Sequence, residues 1–343
     1  MAGLCLPLAM LLLLLASACG QEAPQPQPQP RVQAEIPSQG NEDLFPIRYR
    51  LKWLHQAQFA GSYMALEKGF YQKRGLDVQI LSGGSDFPPY RSLVNGHSDI
   101  SNLNLMTAVK YYHTGPEIVN LAQISQKNST ILVGKKTPRL LSIEDLNGKK
   151  IGIWRDEPGE YVRLFLEYNQ YDAQIVPVDW SVNLLLNNAI DLMNAMDYNE
   201  LHRILMTGWD EKDLIQFDLS DHGFDIVDDG LYTTKEFYGQ HPEECARFTE
   251  ATLEGWIYAL AHPEETLDVV LGYLREAHLP ANRAHQAWML GHMRDRVLRY
   301  PDAIGYLHPD DFDKVQAILL EHGWISQPVD YKSFYPHEIR KKN

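Results

Sequence analysis

Cysteine is scarce, with three residues in 343, at positions 5, 19 and 245. So few thiols exclude a disulfide framework and any metal site built on several thiolates. Positive charge is also in deficit: 31 Lys and Arg stand against 45 Asp and Glu, a net charge of −14. No basic cluster waits for phosphates, which argues against a nucleic-acid partner. The one basic run, Arg340-Lys341-Lys342, reads as a solvated tail. Nucleophile elbow, P-loop, HExxH and paired metal-ligand spacings are all missing, so the motifs point to no catalytic residue, metal or cofactor. His285 and His292, seven apart on an expected helix, share a face but lack a third ligand. They read as surface or packing residues.

Long apolar runs are missing too, apart from residues 4–18. That stretch is too short for a membrane span and reads as a signal-peptide core. It ends in Ala16-Ser17-Ala18 before Cys19, which resembles a bacterial lipoprotein box. On that reading residues 1–18 are removed, Cys19 carries the lipid, and residues 19–44 form a Pro/Gln-rich tether unable to build a core. The alternative is an ordinary signal peptide cut near Ala18. With Cys5 removed and Cys19 acylated, as on the lipoprotein reading, Cys245 is left without a disulfide partner.

The informative stretch is 51–84, LKWLHQAQFAGSYMALEKGFYQKRGLDVQILSGG. Tyr49, Leu51 and Trp53 alternate with Arg50 and Lys52 as a strand end. The polar turn His55-Gln56-Ala57-Gln58 follows. From Phe59 the apolar positions take helical spacing up to Gly75, with Gly69 marking a break. Leu76, Val78 and Ile80 then alternate as a second strand. A βαβ unit of this kind points its first turn out of the sheet's carboxyl edge, where open α/β sheets bind ligands.

Trp53, the turn to Gln58, Gly61, Glu67-Lys68-Gly69-Phe70-Tyr71 and Gly75-Leu76-Asp77-Val78 together resemble the start of a family of periplasmic solute-binding proteins related to fungal thiamine-pyrimidine synthases. A second block, Ser142 to Gly152, and a third, Asp191-Leu192-Met193-Asn194-Ala195-Met196-Asp197-Tyr198-Asn199-Glu200, extend the resemblance, which runs from about Tyr49 to Trp324. It implies an α/β, two-lobed periplasmic-binding-protein type II fold with two crossovers and a central ligand cleft. Residues 45–135 plus 231–343 would form lobe 1 and residues 136–230 lobe 2.

The candidate ligand contacts are Trp53, His55, Gln56, Gln58 and Phe59 in the opening turn. Asn104 and Gln126 stand at two further polar strand exits, and Glu157 lies in the turn after the strand at Ile151–Ile153. By resemblance, Glu200 accepts hydrogen bonds from ring or amino nitrogens of a pyrimidine, and Tyr198 is a wall or stacking partner. Several have a plainer alternative. Trp53 and Phe59 also fit a core, His55 and Asn104 a turn, and Asn199 with Glu200 a helix start. Asp156, Glu157 and Glu160 would oppose an anion, which disfavours nitrate, sulfonate or phosphonate.

Elsewhere, strands are expected at Ile118–Ile124, Thr130–Lys135 and Gly223–Val227. Long helices are expected from His241 onward, over Glu264–Leu274, Arg283–Leu298 and Asp310–His322.

The expected function is that of a lipid-anchored, monomeric, exported protein that captures a small solute, first of all a thiamine-related pyrimidine precursor. It would deliver that solute to the permease and ATPase of an ABC importer. A riboflavin-like or sulfonate solute is the alternative within that class. A second class follows from His-Gln-x-Gln-Phe-Ala-Gly, residues 55–61, which also resembles sensory versions of the domain and would make the chain a ligand-presenting partner of a membrane sensor. A neighbouring permease gene favours import, a neighbouring receptor gene sensing. The third class is a pyrimidine synthase. Aligned through Asp99, however, the lysine that holds pyridoxal phosphate in the synthases falls near Leu103 and their substrate histidine near Thr107. Their cysteine-rich run has no counterpart.

Overall fold

The computed structural model describes residues 44–155 and 157–336, the side chains of 157 and 158 excepted. The signal segment, Cys19, nearly all of the tether, Asp156 and the Glu157 side chain lie outside the described residues.

Ten strands form two five-stranded sheets among the described residues. The strands are β1 Phe45–Arg50, β2 Leu76–Leu81, β3 Ile100–Asn104, β4 Ile118–Gln123, β5 Thr130–Lys135, β6 Lys150–Trp154, β7 Gln174–Val178, β8 Leu192–Met196, β9 Leu214–Asp218 and β10 Asp229–Thr234. The helices are α1 Ala60–Glu67, α2 Pro89–Val94, α3 Leu105–Tyr111, α4 Glu157–Tyr168, α5 Asn183–Leu186, α6 Glu200–Leu205, α7 Lys235–Gln240, α8 Pro242–Ala261, α9 Pro263–Glu276, α10 Arg283–Val297, α11 Pro309–Glu321 and α12 Tyr331–Phe334.

The first sheet runs β2-β1-β3-β10-β4 and the second β7-β6-β8-β5-β9. The chain passes from the first to the second between β4 and β5 and returns between β9 and β10. In each sheet one crossing strand, β10 or β5, lies antiparallel to its neighbours. An antiparallel strand starts where its neighbours end. Asp229 at the head of β10 therefore sits opposite Asn104 at the tail of β3, so both crossovers deliver side chains to the carboxyl edges, where ligands bind.

The expected βαβ unit is present, as β1, α1 and β2, but its helix is shorter than the spacing suggested. α1 stops at Glu67, the chain turns at Gly69, and a separate 3-10 turn over Gln72–Arg74 ends at Gly75 with φ 72°. The strand expected at Gly223–Val227 is absent. Phe224, Ile226 and Val227 are buried, yet no partner strand reaches them, so the segment packs as irregular crossover. Cys245, inside α8, is buried without a disulfide partner, and burial pushes its thiol up to about 12.

Two glycines explain part of the sequence signature. A Cβ at Gly255 of α8 would lie 2.1 Å from the Gly61 carbonyl oxygen of α1, and one at Gly61 would lie 2.3 Å from the Trp256 ring. The two helices therefore cross in backbone contact, and this crossing fixes α1 below the turn that precedes it. Gly255→Ala forces the helices apart and is expected to lower stability by about 1–3 kcal/mol, read as a lower urea midpoint at unchanged slope. An unchanged midpoint would show that the helices can slide apart without loss.

Candidate functional site

One wall of the site is built at the carboxyl edge of the first sheet. Beyond β1, Lys52 turns inward and its Nζ lies 2.9 Å from Asn104 Oδ1 and 3.1 Å from Asp228 Oδ1. It also donates to Asp229 Oδ1. Gln58 Nε2 donates to the other Asp229 oxygen, and Gln56 Nε2 donates to Gln58 Oε1 at 2.5 Å. All of these groups except Asn104 are buried. Burial and the neighbouring Asp228 push the Asp229 carboxyl up to about 7, against the pull of Lys52 and Gln58. Burial pulls the Lys52 ammonium down, but the two carboxylates outweigh it and raise it above its ordinary value.

The other wall comes from the second sheet. β6 ends in Trp154, whose backbone N–H donates to Asn194 Oδ1 of β8 at 3.0 Å. After β8 the chain turns through Asp197-Tyr198-Asn199 into α6. Asn199 stands at the N-cap position, but its side chain does not cap the helix. Its Nδ2 donates to Glu200 Oε1 at 2.8 Å, and Glu200 Oε2 accepts the Met196 N–H at 3.0 Å. The Glu200 carboxylate is thus buried and held from behind. The Arg296 guanidinium lies over the Tyr198 ring at 5.6 Å and pairs with Asp197. Burial, reinforced by the nearby carboxylates, raises the Tyr198 hydroxyl well above its ordinary value, so it stays neutral.

Between these walls lies a cavity of about 650 Å³, lined from both sheets. Six of the ten expected contacts meet there: Trp53, Gln56, Gln58, Asn104, Tyr198 and Glu200. Glu160 of α4, in the lining, forms a 2.7 Å ion pair with Lys110 of α3.

Three expected contacts lie off the lining. Phe59 is a buried core aromatic, as its plainer alternative had it. Gln126 turns its amide to the carbonyls of Ala303 and Tyr306, 2.9 Å from each. His55 bonds Tyr63 Oη at 2.9 Å through Nδ1 and packs beside the Tyr273 ring. Burial lowers His55 to about 4. A histidine kept neutral by folding costs nothing above its ordinary value of about 6.5, and costs progressively more as pH falls towards 4. Between pH 7.5 and 4.5 this amounts to roughly 2–3 kcal/mol. His55→Phe should remove that part of the acid sensitivity in urea unfolding at the two pH values, whereas an unchanged difference would place the sensitivity elsewhere.

Sequence reasoning missed Lys52, Trp154, Trp180, Tyr90 and Tyr111 in the lining. Trp154 had the same signal as Trp53, an aromatic where an alternating strand leaves the sheet. Nothing in the sequence joins Lys52 to Asp228 and Asp229.

A family model described as NMT1/THI5 like matches residues 56–266. The riboflavin-binding protein RibY of Chloroflexus aurantiacus is 21% identical over 84% of this chain and 84% of its own. The formylaminopyrimidine-binding protein of Halalkalibacterium halodurans is also 21% identical, over 84% of this chain and 89% of its own. The periplasmic aliphatic sulphonate binding protein SsuA of Escherichia coli superposes with a TM-score of 0.64 at 13% identity, covering 85% of this chain and 97% of that one. The fold is therefore that of the periplasmic binding proteins. With the family model spanning more than half of the sequence, and with two sheets joined by two crossovers around a lined cavity, the chain belongs to the NMT1/THI5-like family.

Proposed function

We propose that this protein is the solute-capturing component of an ABC importer and that its solute is a flat nitrogen heterocycle, first of all a thiamine-related pyrimidine precursor. The observation that carries this reading is a buried carboxylate, Glu200, on the lining of a cavity whose walls hold Trp53, Trp154, Tyr198 and Trp180. Aromatic walls favour a flat ring by stacking, and an ionised carboxylate accepts hydrogen bonds only. It therefore selects a ring that presents N–H or amino donors. The lining cations do not favour an anion: Lys52 is occupied by two carboxylates, and Arg91 and Arg155 are exposed.

A flavin-sized solute is the second reading, favoured by the cavity itself. Its 650 Å³ is within the range of about 300–1,000 Å³ typical of drug-sized ligands and exceeds what one pyrimidine ring fills. On either reading the residues around the first sheet and those around the second act as two lobes that close on the solute. Because β5, Thr130–Lys135, stands in the second sheet and β10, Asp229–Thr234, in the first, the boundaries expected after residues 135 and 230 fall instead before Thr130 and before Asp229.

The protein works without chemistry of its own and needs no cofactor. The synthase lysine and histidine fall near Leu103 and Thr107, both buried and neither able to supply an amine or imidazole. Its partners are the permease and ATPase subunits. It acts as an exported monomer held to the membrane by lipid on Cys19.

The test is a thermal-shift screen of the form starting after Ala34, against formylaminopyrimidine, hydroxymethylpyrimidine, thiamine, riboflavin, taurine and nitrate. A ligand at a hundredfold excess over its dissociation constant stabilises by about 2.7 kcal/mol. A shift with a pyrimidine is the expected result. A shift with riboflavin alone moves the solute to the second reading, and a shift with taurine or nitrate alone overturns the heterocycle.

A further inference from the structure

α10 contributes no residue to the cavity lining, yet two of its consecutive residues hold both walls. Gln286 Oε1 accepts the Ala57 N–H at 2.7 Å, between Gln56 and Gln58 on the first wall. His285 Nε2 meets Asn199 Oδ1 at 3.0 Å on the second. Further along α10, Trp288 Nε1 donates to the Asp197 carbonyl at 3.1 Å, and Arg296 bonds Ser129 Oγ at 2.6 Å and pairs with Asp197.

The hydrogen positions around His285 follow from its neighbours. Asn199 Nδ2 donates to Glu200 Oε1, so the Asn199 oxygen faces His285. His285 Nε2 therefore carries a hydrogen. In the neutral ring its Nδ1 is then bare, and it lies 3.0 Å from Nδ1 of His202 on α6, which must donate. The chain of donors runs from His202 through His285 and Asn199 to the Glu200 carboxylate, and Glu200 is itself the first residue of α6.

We propose that His285 is the positioning residue of the solute site: it orients Glu200 through Asn199, and it does so only while the His202–His285 pair is neutral. This rests on the reading of Glu200 as the solute's acceptor. Protonating His285 adds an N–H at the 3.0 Å contact, which meets the N–H of His202 unless that ring moves its hydrogen to Nε2. A second proton on the pair sets two N–H groups against each other. The surroundings also oppose a charge there. Arg203 on α6 faces His285, and His292 on α10 faces His202. Asp197, the nearby carboxylate of the turn, is already paired with Arg296. Glu200, the other, is reached only through Asn199. Burial, then His202 and Arg203, lowers His285 to about 4, and burial lowers His202 as well.

The sign follows. The solute-competent arrangement holds the pair neutral, whereas an opened pair titrates near 6.5. Affinity is full above that value and falls as pH drops towards 4.

Two measurements test this. The first needs no solute: ¹⁵N NMR of the histidine rings should show His285 as the Nε2–H tautomer, still neutral at pH 5. An Nδ1–H tautomer, or titration at the ordinary value, overturns the proposal. The second uses formylaminopyrimidine as probe at pH 7.5 and 5.0. Wild type should weaken by about tenfold at the lower pH. His285→Gln keeps a donor for Asn199 but does not titrate, so it should bind within about threefold of wild type at pH 7.5 and lose most of the pH dependence. His285→Leu should lose about tenfold at pH 7.5. His202→Phe, which preserves stacking on Trp288, should reduce the pH dependence even if the His285 variants fold poorly. Wild-type behaviour in His285→Leu or an unaltered pH profile in His285→Gln overturns the proposal. Failure of the probe to bind wild type counts against the proposed solute and leaves the NMR result to decide on His285.

Discussion

Lys52→Met is expected to destabilise the folded protein by about 3–5 kcal/mol, because removing one partner from a buried ion cluster leaves the others uncompensated. Lys52 and both of its carboxylate partners are at most 8% exposed. Without the ammonium, Asp228 and Asp229 face each other in low dielectric, with only Gln58 donating to one of them from the same wall. The Asp229 carboxyl, already raised by burial and Asp228, must then rise further above its value in the unfolded chain. A raised carboxylate pKa penalises the folded state at high pH and relieves that penalty as pH falls through it. The loss should therefore be larger at pH 8 than at pH 5. Adding Asp229→Asn to Lys52→Met removes one of the two orphaned charges and should restore part of the stability, so the two substitutions couple in a double-mutant cycle. A loss below about 1 kcal/mol for Lys52→Met, or no pH dependence, would show that the cluster is not what braces this wall.

Glu200→Gln is expected to weaken binding of a pyrimidine solute by about 1.5–3 kcal/mol, the cost of losing a hydrogen bond to a charged acceptor. This is roughly 10- to 150-fold in dissociation constant. The amide is nearly isosteric and keeps an oxygen acceptor. It also brings an NH₂ that must face either Asn199 Nδ2 or the Met196 N–H, both donors. Some loss of stability should therefore accompany the loss of affinity. The distinguishing readout is selectivity: a solute held by stacking alone loses little, whereas one with ring N–H or amino donors loses the full amount. Equal affinity in the variant and wild type would remove Glu200 from the solute's contacts.

The opening βαβ unit was legible because each of its parts obeys a local rule. Ile47, Tyr49, Val78 and Ile80 are buried at alternate positions, and Gly75 takes the left-handed conformation that ends the turn before β2. The later helices were readable for the same reason, through apolar faces at helical spacing. The apolar residues around Phe224 misled, because burial in a crossover gives the same composition as burial in a strand. Only the presence or absence of a partner strand separates the two, and that partner is remote in sequence.

The candidate site divides in the same way. Gln58, Asn104 and Glu200 follow from their places at strand ends. Gln126 shares that signal, but its amide is spent on carbonyls about 180 residues away. Lys52 pairs with acids 176 and 177 residues away. His285, read from its spacing as a surface or packing residue, is buried and polar in its contacts, because α6 lies across that face of α10.

The most direct test of the central claim is an isothermal titration of the folded protein with formylaminopyrimidine, run beside Glu200→Gln. The account predicts saturable one-to-one binding to wild type, with the affinity lowered at least about tenfold in the variant. Saturable binding that Glu200→Gln leaves unchanged would contradict the role given to this carboxylate. Absence of binding by every nitrogen heterocycle tried, alongside binding of a sulfonate, would contradict the proposed class of solute.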